Sequence, residues 1–190
     1  MMRTLCLQLT IALVVLALTG MASAEKAPTA GELLVGIRLD APEPPDTRAY
    51  LGLTEHGSFD ATTIAGQLLI IEIFSMYCPH CQREAPAVNR LYQAIEASET
   101  LHGRVKIIGI GVGNSAYEVN HFRNHYQVAF PLFPDEDFII HQSVGEVRTP
   151  FFIIADIGLN DKGRVLWTGA GNMDKVETFI NRLNGFLSLD

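Results

Sequence analysis

The chain has 190 residues, of which 48% are hydrophobic and 18% are charged, and its formal net charge at pH 7 is -7. This apolar content excludes an intrinsically disordered protein, and the length suits one domain behind a leader. Because no block is rich in Lys and Arg, the sequence argues against a nucleic-acid-binding protein, and no nucleic-acid partner is expected.

The N-terminus has the features of an export signal. Arg3 supplies a positive charge, residues 5–18 form an apolar run, and Ala-Ser-Ala at 22–24 fits the small-residue pattern before a cleavage site. We therefore predict a signal peptide over residues 1–24 and a periplasmic or other extracytoplasmic location for the mature chain. The alternative is an uncleaved membrane anchor over residues 5–22, which is close to the minimum length of a spanning helix. Without that anchor, no membrane contact is expected.

Removal of the leader would leave two cysteines, Cys78 and Cys81. A disulfide between residues so close in sequence closes a very small ring, which removes little chain entropy and stabilises a fold poorly. Redox chemistry therefore explains this pair better than structural cross-linking does.

Residues 25–50 are expected to form an N-terminal tail and linker ahead of a domain over residues 51–190. The proline-rich stretch 41–46 predicts an extended chain. A weak alternation of apolar residues over 33–39 allows one early strand.

The rest of the chain alternates strands and helices. The predicted strands cover residues 68–74, 105–112, 130–133, 150–155 and 164–168, and the predicted helices cover 79–97, 116–126, 138–144 and 173–187. Pro86 lies inside the first of these helices and predicts a kink. The order β-α-β-α-β-α-β-β-α predicts an α/β fold with a central mixed sheet flanked by helices on both faces.

The motif Cys78-Pro79-His80-Cys81 lies where a buried strand ends and a helix begins, the context in which a C-x-x-C pair is redox-active. The helix N-terminus favours a thiolate, so Cys78 is the predicted nucleophile. Pro79 suits the first helical turn, and the imidazole of His80 is expected to stabilise the thiolate. Cys81 is one turn further along the same face, where it can resolve a mixed disulfide through a Cys78–Cys81 disulfide.

A zinc site is the alternative interpretation of the C-x-x-C pair. Structural zinc needs four ligands, usually including a second such pair, and this sequence has none. His121, His125 and His141 would join the cysteines only if the tertiary fold brought them together. We therefore expect no metal site, and no cofactor beyond the redox-active disulfide.

Residues 68–95, LLIIEIFSMYCPHCQREAPAVNRLYQAI, resemble the strand–motif–helix core of the thioredoxin superfamily. From about residue 50 to residue 187, the chain resembles the exported TlpA/ResA-like branch, which overlaps the AhpC/TSA-like redoxins. The resemblance implies a thioredoxin-like fold with an extra strand–helix insertion, which residues 113–133 would supply.

The resemblance also implies a substrate-binding region. Pro150, which follows Thr149, matches the cis-proline that faces the cysteine pair in this superfamily. Such a bond would expose the backbone of Thr149 for pairing with a substrate strand. Tyr77 occupies the place where many thioredoxins have Trp, and it is grouped with these two residues as substrate-binding.

Glu72, six residues before Cys78, matches a buried carboxylate of many thioredoxins. In an apolar strand its carboxyl group should be poorly solvated, which raises its pKa. It is then expected to exchange a proton with Cys81 during catalysis.

The implied activity is thiol–disulfide exchange with protein substrates outside the cytoplasm. The TlpA/ResA resemblance favours a reductase supplied by a membrane electron donor, with cytochrome c maturation as a family-based candidate role. The Pro-His dipeptide instead resembles DsbA-like oxidases, so that alternative stays open. Two others are a thiol peroxidase, whose Thr-x-x-Cys arrangement is missing before Cys78, and a Sco-like copper chaperone, whose cysteines are spaced further apart.

Overall fold

The structure, a computed structural model, describes residues 26–34, 36–173 and 175–188. The predicted signal peptide over residues 1–24 and the alternative anchor over residues 5–22 lie outside the described residues. Within the described part of the chain, no helix is both long enough and apolar enough to cross a membrane.

The described residues form seven strands, five α-helices and one 3-10 turn. The strands are β1 (Arg38–Asp40), β2 (Ser58–Asp60), β3 (Leu68–Phe74), β4 (Val105–Val112), β5 (Leu132–Asp135), β6 (Phe151–Asp156) and β7 (Val165–Ala170). The helices are α1 (Pro45–Leu51), α2 (Pro79–Glu96), α3 (Ala116–Tyr126), α4 (Ile139–Ser143) and α5 (Val176–Leu187), with a 3-10 turn at Ala61–Thr63. From β3 onward, the order is the β-α-β-α-β-α-β-β-α that the sequence predicts.

Five strands form the central sheet in the order β5-β4-β3-β6-β7. Strands β3, β4 and β5 are parallel, whereas β6 runs antiparallel to both β3 and β7. The sheet is therefore mixed, and the prediction of an α/β fold with helices around a mixed sheet is confirmed. Strand β3 is central and buried along its whole length, which explains its nearly continuous apolar sequence.

Alternate side chains of β3 enter two different cores, because successive residues of a strand point to opposite faces. Leu68, Ile70 and Phe74 pack with α2, α3 and α5 on one face. The residues between them pack with α1, α4 and the N-terminal segment on the other face. Glu72 belongs to the alternation of Leu68, Ile70 and Phe74, so it points toward the face that α2 covers.

The N-terminal segment differs from the expected tail and linker. Strand β1 pairs with β2, and Ile37 and Leu39 are buried against the sheet. Pro45 opens helix α1, where a proline has no N–H to lose, and Leu51 at the end of this helix is fully buried. This part of the expected linker is therefore packed onto the domain, and the chain at Pro45 is helical where we expected it to be extended.

Two prolines lie inside regular elements. Helix α2 continues through Pro86, which is exposed, and the kink expected there stays a prediction. Strand β5 begins two residues later than predicted and includes Pro134. Strand β5 is at the edge of the sheet and pairs with a neighbouring strand on one side only. A proline, which has no N–H, is tolerated in such an edge strand.

Candidate active site

The two cysteines lie at the N-terminus of α2, directly after the central strand. Cys78 is the N-cap residue, and its Sγ accepts a hydrogen bond from the backbone N–H of Cys81 at 3.4 Å. Pro79 is the first residue of the helix. Both cysteines are free thiols in this structure; Cys78 is partly exposed and Cys81 is fully buried. The arrangement presents one sulfur to a substrate and keeps the other beneath it.

The two thiols differ in acidity. Burial opposes ionisation of Cys78, but hydrogen bonds to its sulfur from the side chain of Thr149, from Cys81 and from the backbone N–H of His80 outweigh it and lower its pKa. Burial raises the pKa of Cys81 far above that of an ordinary thiol, and the neighbouring Cys78 raises it further. Cys78 is therefore the sulfur that ionises first, whereas Cys81 keeps its proton.

The loop before β6 faces the dithiol. The thiol of Cys78 donates a hydrogen bond to the carbonyl oxygen of Thr149 at 3.4 Å. The Thr149–Pro150 peptide bond is cis. The loop reaches the motif because β6 runs antiparallel to β3, with Phe151 opposite Ile73, so the start of β6 lies beside the end of β3.

The exposed residues of the motif have other partners. Nδ1 of His80 lies 3.0 Å from the guanidinium of Arg83. Because arginine has only donors, Nδ1 is the acceptor in this contact. His80 therefore contacts the Cys78 sulfur through its backbone N–H, while its imidazole is paired with Arg83. The side chain of Tyr77 is 64% exposed, and its hydroxyl donates to the carboxylate of Glu118.

Glu72 is buried in the middle of β3, with 3% of its side chain exposed. Burial raises its pKa to about 8, and the nearby carboxyl group of Glu84 contributes to this shift. A carboxyl group with this pKa can gain or lose a proton near neutral pH.

Glu84 is a site residue that the sequence analysis missed. It follows Cys81 by one helical turn, is 6% exposed, and accepts the backbone N–H of Met173 at 2.9 Å. Burial also raises the pKa of Glu84. The available signal was its spacing, since residues three apart on a helix share a face and Cys81 faces the core. Glu72 and Glu84 thus form a pair of buried carboxyl groups on the face of the sheet that carries the dithiol.

Two cavities flank Tyr77 beside the dithiol. The first has a volume of about 520 Å³ and is lined by Ser75, Tyr77, Val112, Gly113, Phe138, His141, Val147, Arg148 and Thr149. The second has a volume of about 480 Å³ and is lined by Met76, Tyr77, Ser115, Tyr117, Glu118, His121 and Glu136. Four large apolar side chains are substantially exposed: Tyr77, Tyr117, Phe138 and Ile139. Exposed apolar surface of this kind is typical of a site that binds another polypeptide.

Phe138 is held in an uncommon backbone conformation at the wall of the first cavity. Its φ is 59°, in the left-handed region, and its ring lies against Gly113, where a Cβ atom would approach the ring to 2.6 Å. Glycine at residue 113 is therefore required for the ring to occupy this position. Sequence reasoning gave no indication of this contact, because it depends on how the loops after β4 and β5 meet.

In this chain a buried strand ends in a dithiol at a helix N-terminus, and the loop that carries Pro150 faces that dithiol. This arrangement defines a protein of the thioredoxin-like class. Residues 45–166 match the sequence profile of the AhpC/TSA family. Since the match covers more than half of the chain, the protein belongs to this family.

The chain is also similar to curated oxidoreductases in sequence and to solved structures in fold. The chain is 25% identical over 128 residues to the thiol-disulfide oxidoreductase ResA of Halalkalibacterium halodurans, covering 66% of this chain and 68% of that protein. It resembles the thioredoxin domain of a thiol-disulfide oxidoreductase from Bacteroides vulgatus with a TM-score of 0.61 and 14% identity, covering 83% of this chain and 99% of that one. A secreted Mycobacterium tuberculosis disulfide oxidoreductase gives a TM-score of 0.52 and 20% identity, with coverage of 68% and 90%.

These findings confirm the expectation of a thioredoxin-like fold and a ResA/TlpA-like relationship. The protein is a thiol–disulfide oxidoreductase at this level of description.

Proposed function

We propose that the protein is an extracytoplasmic oxidoreductase that exchanges disulfides with protein substrates through Cys78 and Cys81, and that it acts as a reductase. The observation that carries this proposal is the pairing of a partly exposed thiol of lowered pKa with a buried thiol one turn deeper. Similarity to the ResA proteins supports the reductive direction.

The reaction proceeds in two balanced steps. The thiolate of Cys78 attacks one sulfur of the substrate disulfide, the S–S bond breaks, and the other substrate sulfur leaves and takes a proton. Cys81 then loses its proton and attacks the Cys78 sulfur, which releases the second substrate thiol and closes the Cys78–Cys81 disulfide. Two electrons pass to the substrate, and a membrane electron donor supplies two electrons to restore the dithiol.

The surrounding residues have distinct roles in this scheme. Glu72 accepts the proton of Cys81, because both groups are buried and the pKa of Glu72 lies near neutrality. Pro79 and the backbone N–H of His80 shape the helix end that stabilises the thiolate. Thr149, Pro150 and Tyr77 contact the substrate chain beside Cys78.

The predicted signal peptide over residues 1–24 supports an extracytoplasmic location for these steps. Anchoring by residues 5–22 would keep the domain on the same side of the membrane. Apocytochrome c thiols are the family-based candidate for the substrate, since they must be reduced before haem attachment.

The direct experiment compares disulfide reduction of insulin by wild type, Cys78→Ser and Cys81→Ser. We expect Cys78→Ser to lose all activity because no nucleophile remains. Cys81→Ser should accumulate mixed disulfides with the substrate because nothing resolves them. Glu55→Gln, at an exposed position outside the motif, is the control and should leave the rate unchanged. Equal rates for wild type and Cys78→Ser would disprove the proposed role of the motif.

The reduction potential of the Cys78–Cys81 couple tests the proposed direction. A value near that of thioredoxin, about −270 mV, agrees with a reductase. A value near about −120 mV indicates a DsbA-like oxidase instead, because a stabilised thiolate makes the disulfide more oxidising.

Membership of the AhpC/TSA family favours thiol peroxidase activity as a second candidate. The same dithiol would then reduce a peroxide in place of a disulfide. Peroxide consumption by the purified protein, measured beside insulin reduction, separates the two candidates by their relative rates.

A further inference from the structure

A short turn connects the central strand to the helix that carries the dithiol. It spans residues 75–78, and the backbone N–H of Cys78 donates to the carbonyl oxygen of Ser75 at 3.0 Å, which closes a β-turn. Burial raises the pKa of Cys81, and a hydrogen bond from the Ser75 backbone to its sulfur acts in the opposite direction. The turn therefore contains one sulfur of the motif and bonds to the other.

Asn114 holds this turn from the side of the sheet. It lies between β4 and α3, and its side chain is fully buried. Its Oδ1 accepts the backbone N–H of Met76 at 2.8 Å, and its Nδ2 donates to Oγ of Ser75 at 3.4 Å. One side-chain amide thus bonds two consecutive residues of the turn.

Gln82 holds the turn from the side of the helix. Its Nε2 donates to the carbonyl oxygen of Met76 at 2.8 Å, and its backbone N–H donates to the carbonyl oxygen of Cys78 at 3.1 Å. Both polar groups of the Met76 backbone are therefore engaged by side-chain amides, each from a different neighbouring element.

The position of the Cys78 sulfur depends on this turn. Cys78 ends the turn and caps α2, and its backbone conformation brings the sulfur to 3.4 Å from the N–H of Cys81. Loss of either amide would leave a polar group of Met76 without its partner, and this cost favours a rearranged turn. We propose that Asn114 and Gln82 are positioning residues that fix the turn and thereby keep the Cys78 sulfur against the N–H donors at the start of α2. The inference rests on the proposed role of Cys78 as the nucleophile.

The test is the pH dependence of iodoacetamide alkylation at Cys78 in Asn114→Ala and in wild type. We expect the midpoint to rise by about half a pH unit or more, which lowers the thiolate fraction at acidic pH about threefold. The reduction potential of the dithiol should become more negative, because a less stabilised thiolate makes the disulfide less oxidising. Asn89→Ala is the matched control, since Nδ2 of Asn89 donates to the carbonyl oxygens of Tyr126 and Gln127 at the C-terminal end of α3. It should destabilise the fold and leave the midpoint and the potential at their wild-type values.

Gln82→Ala is the second variant, and it decides the question if Asn114→Ala does not fold. Gln82 is only partly buried, so its removal takes away the bond to the Met76 carbonyl without opening the core. We expect the midpoint and the potential to shift in the same directions. Gln93→Ala, at an exposed position of the same helix, should change neither.

The outcomes separate this inference from the proposed function. If Cys78 is acidic in wild type and the folded Asn114 and Gln82 variants keep its midpoint and the potential, the positioning role is wrong and the proposed function stands. Equal shifts in Asn89→Ala and Asn114→Ala would also overturn the role, because loss of stability alone would then explain them. A wild-type midpoint at or above about 8.5 would overturn the proposed function, and this inference with it.

Discussion

In the proposed mechanism, Glu72 is the proton acceptor for Cys81, and its protonation state depends on pH. Its pKa of about 8 means that it is mainly protonated at pH 7 and mainly ionised above pH 8. Only the ionised carboxylate can take the proton of Cys81. The rate at which Cys81 resolves a mixed disulfide should therefore rise as the pH passes through about 8.

Glu72→Gln should remove that rise, because an amide cannot accept the proton. The measurement is the pH profile of single-turnover release of a substrate from its mixed disulfide with Cys78. Glu55→Gln, at an exposed position, is the control and should keep the wild-type profile. An identical pH profile for Glu72→Gln and wild type would exclude this carboxyl group as the proton acceptor.

Glu84 illustrates what sequence reasoning finds and misses at single residues. Glu72 stands out in the sequence because its strand is otherwise apolar. Glu84 lies just after Gln82 and Arg83 and resembles one more polar residue on a solvated helix face. Its burial and its proximity to Glu72 depend on how α2 packs on the sheet. The local sequence pattern around Glu84 does not indicate this packing.

At the scale of elements, the packing of β4 depends on a residue without a side chain. A Cβ atom at Gly109 would lie 2.5 Å from Cδ2 of Leu132 and 3.2 Å from the ring of Phe74. Gly109→Ala should therefore destabilise the fold by about 1–3 kcal/mol through overpacking. The measurement is the free energy of unfolding in urea.

Gly185 in α5 is the matched control, since a Cβ atom there meets nothing within 4 Å. Gly185→Ala should stabilise the protein by roughly 0.5–1 kcal/mol, because alanine loses less backbone entropy in a helix. If Gly109→Ala were as stable as wild type, the sheet would be able to adjust to a side chain at this position.

The elements that sequence predicted best are those with a strong local pattern. Strands β3 and β4 are apolar runs broken only by Glu72 and Lys106, and α3 follows Ser115, whose side chain caps the helix. Among the N-terminal elements, β1 overlaps the early strand that the sequence allowed over residues 33–39, whereas α1 was missed. Their apolar residues are few, and Ile37 and Leu39 are buried only because the chain folds back onto the sheet.

At the scale of the whole molecule, the burial of Glu72 couples stability to pH. Its folded-state pKa of about 8 lies above the ordinary value of 4.5, so the folded state holds the proton more tightly than the unfolded state. The contribution of Glu72 to stability is fully present below pH 4.5, and it is lost as the pH rises through about 8.

Urea unfolding of wild type and Glu72→Gln at pH 6 and pH 9 measures this coupling. We expect wild type to lose more stability than Glu72→Gln between the two pH values, since glutamine has no proton to lose. A loss of the same size in both proteins would show that Glu72 does not titrate in this range in the folded state.

In the proposed mechanism, Cys78 is an activated nucleophile because its sulfur caps a helix and receives several hydrogen bonds. The most direct test is the rate of iodoacetamide alkylation at Cys78 as a function of pH, read from the modified peptide by mass spectrometry. We predict that the rate is half-maximal at a pH clearly below about 8.5, the pKa of a free cysteine. A midpoint at or above about 8.5 would contradict it.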